Sequence, residues 1–345
     1  MATVKDIAEL TGFSAATISR VLNQDDSFSA SEETKKKIFQ CAKELNYEIK
    51  NKSHDLGKRK LSEYHVGVIP IGLESTGRGE LQDPYYLYIR NGVEERLDQV
   101  GISNVKTITL NQKQDYEKLD DLDGMIVIGK KTFDIQNLYF RKLKHVVFID
   151  YDFDHQHYDC VLSDFREAAK MALDFLRERG YRSIGYIGSW DYVNDFGAGK
   201  MIRQMDIRQR AYEEYLREHE MDWQRYCYVG EKFTAAVGYE LAVKAIRSRE
   251  LAEAFLIGSD PMALGVYRAF GDYGIEIGKD IGLISIDGIA NANYMSPPLA
   301  TVKVNSFYMG RTAVDCLVQQ IEGRKYPVKI YLPMEVVEGA SCSSA

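Results

Sequence analysis

Ala2-Thr3-Val4-Lys5-Asp6-Ile7-Ala8-Glu9-Leu10-Thr11-Gly12-Phe13-Ser14-Ala15-Ala16-Thr17-Ile18-Ser19-Arg20-Val21-Leu22-Asn23 opens the chain with two short helical patterns joined at a glycine. Thr3 with Asp6 three residues later is an Asp variant of the capping box, and Val4, Ile7 and Ala8 share one face. Thr11-Gly12-Phe13 stops the first helix and Ser14 offers a new N-cap. In the second helix Ala15, Ile18, Val21 and Leu22 form an apolar stripe, which leaves Ala16, Thr17 and Arg20 outside. A turn this short, with its glycine, is a helix-turn-helix signature.

A third helix starts near Ser31, carries Glu32 and Glu33 in its first turn where the helix dipole favours anions, and runs through Ile38, Ala42 and Leu45 to Tyr47. Glu48 to Glu63 is polar and basic with few apolar anchors, and reads as a linker. Beyond it, apolar runs at Val66–Ile71, Val105–Leu110, Gly124–Gly129, Val146–Ile149, Ile184–Gly188, Ala254–Gly258 and Gly282–Ile286 alternate with helix-length segments at Tyr85–Val100, Phe165–Arg179, Arg208–His219 and Ala235–Arg249. Runs apolar on both faces imply parallel strands covered by helices on either side. The expected division is a headpiece at 1–50, a hinge or linker at 51–63 and an α/β body at 64–345. The body divides into one lobe of 64–162 with about 304–330 and another of 163–303 with about 331–345. Ligands of such sheets bind beyond the carboxyl ends of the strands, which puts a site in the cleft between lobes.

At 345 residues and 39.3 kDa the chain has room for these units, and 45% hydrophobic with 28% charged residues excludes wholesale disorder. No run approaches the roughly 18 apolar residues of a membrane span, nor does an apolar secretion segment open the chain, so no membrane partner and a cytoplasmic location are expected. Cys41, Cys160, Cys227, Cys316 and Cys342 are odd in number, widely spaced and without a CxxC pair, so they read as reduced thiols, mostly buried. The first 60 residues hold 11 Lys+Arg against 9 Asp+Glu, a balance of +2, so of the total of −7 the remainder carries −9. Any polyanion must therefore meet the N-terminal segment, where Lys5, Arg20, Lys35, Lys36 and Lys37 supply positive charge.

The chain resembles the lactose/galactose repressor family of bacterial transcription regulators. The likeness rests on Ala2–Ala8, Ser14–Asn23, Glu32-Glu33-Thr34 and Glu44-Leu45-Asn46-Tyr47 in the headpiece. In the body it rests on Asp83-Pro84-Tyr85-Tyr86 with Gly92, Asp123–Ile126, Gly180–Ile184, Ser259–Gly265, Asp287-Gly288 and Pro297–Val302. It implies a three-helix helix-turn-helix headpiece on a two-lobed, periplasmic-binding-protein-like parallel α/β body. It also implies repression of carbohydrate-utilisation genes from a palindromic double-stranded DNA operator, bound as a homodimer and released by a small-molecule effector. That effector is expected to be a sugar, a galactoside among the candidates; a purine or a protein corepressor is the alternative.

By this resemblance Ala15, Ala16 and Arg20 face base edges, with Arg20 able to make paired bonds to guanine while alanine methyls pack on thymine. Ser14, Thr17 and Asn23, near the start and end of the same helix, would bind phosphates. Leu56 sits where the family's hinge leucine wedges into the minor groove, but Ile49-Lys50 and Ser53-His54 replace the usual Pro-Asn and Ala-Arg pairs and Gly57 follows; a hinge helix and a plain linker both stand as readings. In the cleft, Arg208 and Asp287 match the family's effector-clamping arginine and carboxylate, complementary to vicinal hydroxyls. Tyr85, Tyr86, Phe233 and Trp190 would supply rings for the C–H face of a sugar, and Asp260 would support the cleft rather than touch ligand.

No catalytic set, cofactor or metal is expected. Gly197-Ala198-Gly199-Lys200 imitates the end of a P-loop, yet Met201 replaces the Mg-binding Ser/Thr and Asn194 stands in place of the first glycine. Gly77-Arg78-Gly79 completes no dinucleotide fingerprint, and His155-Gln156-His157-Tyr158-Asp159-Cys160 reads as a solvated loop rather than a metal site. A transport-type sugar-binding protein without DNA function is the remaining rival, and it has no use for residues 1–47.

Overall fold

The computed structural model describes residues 3–22, 28, 30–45, 59–70, 84–248 and 250–343. The chain forms two compact units, Met1–Lys60 and Leu61–Ala345.

The first unit contains α1 (Val4–Thr11), α2 (Ala15–Leu22) and α3 (Glu32–Glu44). The Thr3–Asp6 capping box is formed in both directions, and Gly12 ends α1 at φ 74°, a left-handed position that a residue with a Cβ occupies at a cost. Ser14 caps α2, its hydroxyl accepting from the Thr17 N–H at 3.1 Å, and Ser31 caps α3 through Thr34 at 3.2 Å. Ile7, Ile18, Val21, Leu22, Ile38 and Ala42 close the small core. Ala15, assigned by periodicity to the buried stripe, is exposed at the first position of α2, so the stripe begins at Ile18.

The second unit has two six-stranded sheets. The first lobe holds β1 (His65–Ile69), β2 (Asn104–Thr107), β3 (Gly124–Ile128), β5 (His145–Ile149), β6 (Asp159–Leu162) and β14 (Lys329–Tyr331), all parallel, in the order β14-β6-β5-β3-β1-β2. The second lobe holds β7 (Ile184–Ser189), β10 (Cys227–Gly230), β11 (Ala254–Ile257), β12 (Gly282–Asp287), β13 (Ala300–Val304) and β15 (Met334–Val337) in the order β10-β7-β11-β12-β13-β15, with β15 antiparallel. A third sheet, β4 (Lys131–Thr132), β8 (Asp191–Asp195) and β9 (Lys200–Gln204), takes β4 from the first lobe and the other two strands from the second. His155–Cys160 is only partly loop: Asp159 and Cys160 are buried in β6, where Asp159 pairs with Arg324 and accepts from the Val328 N–H. A carboxylate at the first position of this four-residue strand hid it from hydropathy.

Among the described residues the chain crosses between lobes three times: after β6 into α6 (Phe165–Glu178), after β13 into α10 (Ser306–Ile321), and between β14 and β15. α10 lies against α4 (Pro84–Gln99) because two glycines let the backbones meet. A Cβ on Gly92 would sit 2.0 Å from the Phe307 carbonyl oxygen, and one on Gly310 would sit 2.1 Å from that of Ile89. The remaining helices among the described residues are α5 (Leu138–Lys142), α7 (Ile207–Glu218), α8 (Ala235–Ile246) and α9 (Asp260–Asp272).

Candidate nucleic-acid interface and effector cleft

In the headpiece, Ser14 at the cap of α2 and Ala15, Ala16 and Arg20 on the helix are exposed, and Thr17 is half-buried. Ser14 and Thr17 are 2.9 Å apart through their hydroxyls, so both sit at the amino end of α2, where unpaired backbone N–H groups and the dipole favour a phosphate. The Arg20 guanidinium lies 5.4 Å from the Phe28 ring centroid, a contact that lowers its rotamer freedom without burying it. Asn23 and Leu56 lie outside the described residues.

The cleft is built on strand ends. Arg208 enters on the first turn of α7, whose N-cap is Asp206. Arg208 Nε and Nη2 donate to the two oxygens of Asp206 at 2.8 and 2.9 Å, and Nη1 donates to the Gly258 carbonyl at 2.8 Å. A guanidinium has five N–H bonds, so two remain outside these contacts. Phe233 and Phe165 flank the group at 4.1 and 4.7 Å. Burial opposes the charge on both partners, yet their attraction prevails: Arg208 is held well above its ordinary value, and Asp206 below the ordinary carboxylate value. Asp206 is wholly buried and went unnoticed in the sequence, because nothing local separates it from the many solvent-facing aspartates.

Facing it from the first lobe, Tyr85 and Tyr86 donate to the two oxygens of Asp150 at 3.0 and 2.8 Å. Burial raises Asp150 above the ordinary carboxylate value against the pull of Lys130 and the two tyrosines. Lys130 stands nearby and pairs with Asp191 at 2.8 Å; burial opposes its charge, but Asp150, Asp191 and Asp206 hold the ammonium above its usual value. Asp150 is a second residue that sequence reasoning missed. It ends Val146–Ile149 as Asp287 ends Leu283–Ile286, and that shared pattern of a carboxylate closing an apolar run was the available signal.

Asp287 and Asp150 also share strained backbone, with φ of 133° and 62°, a conformation costing about 1–3 kcal/mol and found preferentially at functional sites. Asp287 accepts from the Asp260 N–H at 3.3 Å, and its charge acts on both Arg208 and Tyr85, so the field reaches across the lobes. Asp260 is enclosed by donors: the hydroxyls of Ser285 and Thr301 and, at 2.8 Å, the Ile289 N–H. Burial pushes it up to about 6, against the pull of those donors. Trp190 is half-exposed after β7, with Arg203 4.1 Å over its ring. A cavity of about 440 Å³ lined by Lys130, Asp150, Ser163, Phe165, Ile207 and Tyr331, among others, opens on the crossing side of the cleft.

No group of three or more metal-ligating side chains occurs among the described residues; His155 and His157 pair with Asp152 and Asp154 at 2.9 and 2.8 Å. Of the P-loop-like Gly197–Lys200, Gly197–Gly199 lie in the turn between β8 and β9 and Lys200 opens β9. Among the described residues no helix is long and apolar enough to cross a membrane.

The model of bacterial regulatory proteins of the lacI family matches residues 3–49, and that of the periplasmic binding protein-like domain matches residues 173–342. The HTH-type transcriptional repressor MelR of Bacillus subtilis (strain 168) is 34% identical over 343 residues, 99% of this chain and 98% of its own length. The chain belongs to the lacI family of bacterial regulatory proteins. The HTH-type transcriptional regulator GanR of the same organism is also 34% identical, over 98% of each chain. Two solved structures share the fold of this lacI-family regulator. One is the transcriptional regulator CelR–cellobiose complex, with TM-score 0.67, 21% identity and coverage of 99% of this chain and 100% of that one. The other is the lac repressor dimer bound to operator and the anti-inducer ONPF, with TM-score 0.66, 22% identity and 99% coverage of each. As a lacI-family member the protein is a DNA-binding transcription regulator, not an enzyme.

Proposed function

We propose that this regulator grips a pseudo-palindromic operator as a homodimer through α2 and represses carbohydrate-utilisation genes in the cytoplasm until a sugar enters the cleft. The observation that carries the effector class is the clamp of Arg208 between Phe165 and Phe233, opposite Asp150 with its two tyrosines. Rings suit the C–H face of a pyranose, while carboxylates and two remaining guanidinium N–H bonds suit its hydroxyls. The surrounding charge disfavours an anion: Asp150, Asp191, Asp206 and Asp287 act on Lys130 and Arg208, four carboxylates against two cations. A phosphorylated ligand would add to that excess. The relatives' names, MelR, GanR and GalR, and the CelR–cellobiose complex support the same class.

On DNA, Arg20 would read guanine, Ala15 and Ala16 would admit thymine methyls, and Ser14, Thr17 and Asn23 would hold phosphates, with Leu56 the candidate minor-groove wedge. One headpiece reads too few bases for tight binding, which is why a dimer is needed. The test is a gel shift on DNA upstream of the regulator's own and neighbouring genes, repeated with galactose, melibiose, lactose and cellobiose. A salt-sensitive complex that one of these sugars dissolves supports the reading. A complex indifferent to all four but responsive to a purine or a phosphorylated protein overturns the sugar assignment.

A further inference from the structure

β8 and β9 leave the carboxyl end of β7 in the second lobe, and the turn they carry is anchored in the first. The Asn194 N–H donates to the Lys130 carbonyl at 2.9 Å and the Phe196 N–H to that of Thr132 at 3.1 Å, which makes β8 a parallel extension of β4. Phe196 is buried to 2% exposure within the first lobe's aromatic cluster, 4.7 Å from the Tyr116 ring and 6.0 Å from that of Phe133. At the base of the hairpin Asp191 pairs with Lys130.

Sheet order shows where this bridge falls. The covalent crossings leave from β6, β13 and β14, whereas the hairpin joins the ends of β3 and β7. β3 lies two strands from β6, and β7 three strands from β13, so the bridge stands roughly 10–15 Å from the crossings at the ordinary strand spacing. Arg208 and Asp150 lie in the cleft spanned by both. The crossings are continuous chain and cannot part; the hairpin contact can. Its hold includes a single ring, two backbone hydrogen bonds and one ion pair, β9 is exposed along its whole length, and a cavity of about 350 Å³ remains between the turn and Leu110-Asn111.

We propose that the β8–β9 hairpin is a clasp across the mouth of the effector cleft, with Phe196 as its catch, and that this ring leaves the first lobe before a ligand enters or departs. The proposal rests on the reading of the cleft as the effector site. It explains why an aromatic side chain from one lobe completes the core of the other, and why Lys130 is held between carboxylates of both lobes.

Hydrogen exchange on the full-length, ligand-free protein tests it without knowledge of the effector. Peptides covering residues 131–134 and 191–204 are expected to be protected in the wild type. Phe196→Ala removes the catch, and Asn194→Pro removes one pairing N–H while sparing the aromatic cluster. Each should speed exchange in both peptides at least tenfold and leave 145–149 unchanged. Stopped-flow tryptophan fluorescence with galactose, melibiose, lactose and cellobiose should then show association and dissociation both at least tenfold faster in the two variants for any sugar the wild type binds. Full exchange of 191–204 in the wild type, or variants with wild-type exchange and sugar kinetics, overturns the clasp. If none of the four sugars binds the wild type, the sugar reading fails, while the exchange result still decides whether the clasp exists.

Discussion

Replacing Arg208 by methionine strips the cleft of its most engaged cation and leaves Asp206, 0% exposed, without its paired donors. Removing one partner of a buried pair costs about 3–5 kcal/mol, because the surviving charge stays desolvated. In a unit the size of Leu61–Ala345 that corresponds to a Tm lowered by roughly 5–8 °C. The nearby ammonium of Lys130 tempers the loss, which favours the lower half of that range. The accompanying substitution Asp206→Asn separates charge from packing: asparagine still caps α7, and the orphan charge is gone. Arg208→Met with Asp206→Asn should therefore recover at least half of the lost Tm, although neither form should respond to sugar. Differential scanning fluorimetry gives both numbers, and gel shift with and without sugar gives the response. A single variant melting within 2 °C of wild type, or a double variant no more stable than the single, would show that the pair does not organise the cleft as argued.

Arg20→Ala should lower operator affinity by about 1–3 kcal/mol and relax preference at one base position while leaving the melting of both units unchanged, as read by fluorescence anisotropy on a set of single-base operator variants. Thr3→Ala removes the α1 capping box and should destabilise the headpiece by about 1 kcal/mol, visible as an earlier thermal transition for Met1–Lys60. Asp260 gives a pH signature. Its folded value of about 6 exceeds the ordinary 3.8, so the folded state binds more protons between those values and loses stability as pH rises through that window. Urea midpoints at pH 4 and pH 7 should reveal up to about 3 kcal/mol of such loss in the wild type, and Asp260→Asn should remove it. An identical pH slope in the two proteins would refute the assignment.

What the sequence revealed follows locality. The helix ends of the headpiece announce themselves through Thr3, Gly12, Ser14 and Ser31, because caps and left-handed glycines act within four residues of their partners. The long apolar runs that became β1, β3, β5, β7, β11 and β12 were equally plain, since strands buried on both faces need no context. The third sheet was not legible: β4 has two residues, β9 is exposed throughout, and both exist only because distant segments pair. Ala15 went to the wrong face because a period of 3.6 residues says nothing about where a neighbouring helix ends. In the cleft, residue type and family pattern pointed to Arg208 and Asp287, whereas Asp206 and Asp150 draw their surroundings from the fold rather than from their neighbours in sequence.

Control of a DNA grip by a ligand held in a separate unit is a statement about coupling, and coupling is reciprocal. The direct measurement is a closed cycle on the full-length protein: operator affinity with and without saturating sugar by anisotropy, and sugar affinity with and without operator by calorimetry, at one fixed salt concentration. Equal factors of at least fivefold in both directions, lost in Arg208→Met, are the predicted result. Operator affinity that does not change when a sugar demonstrably fills the cleft would contradict the account.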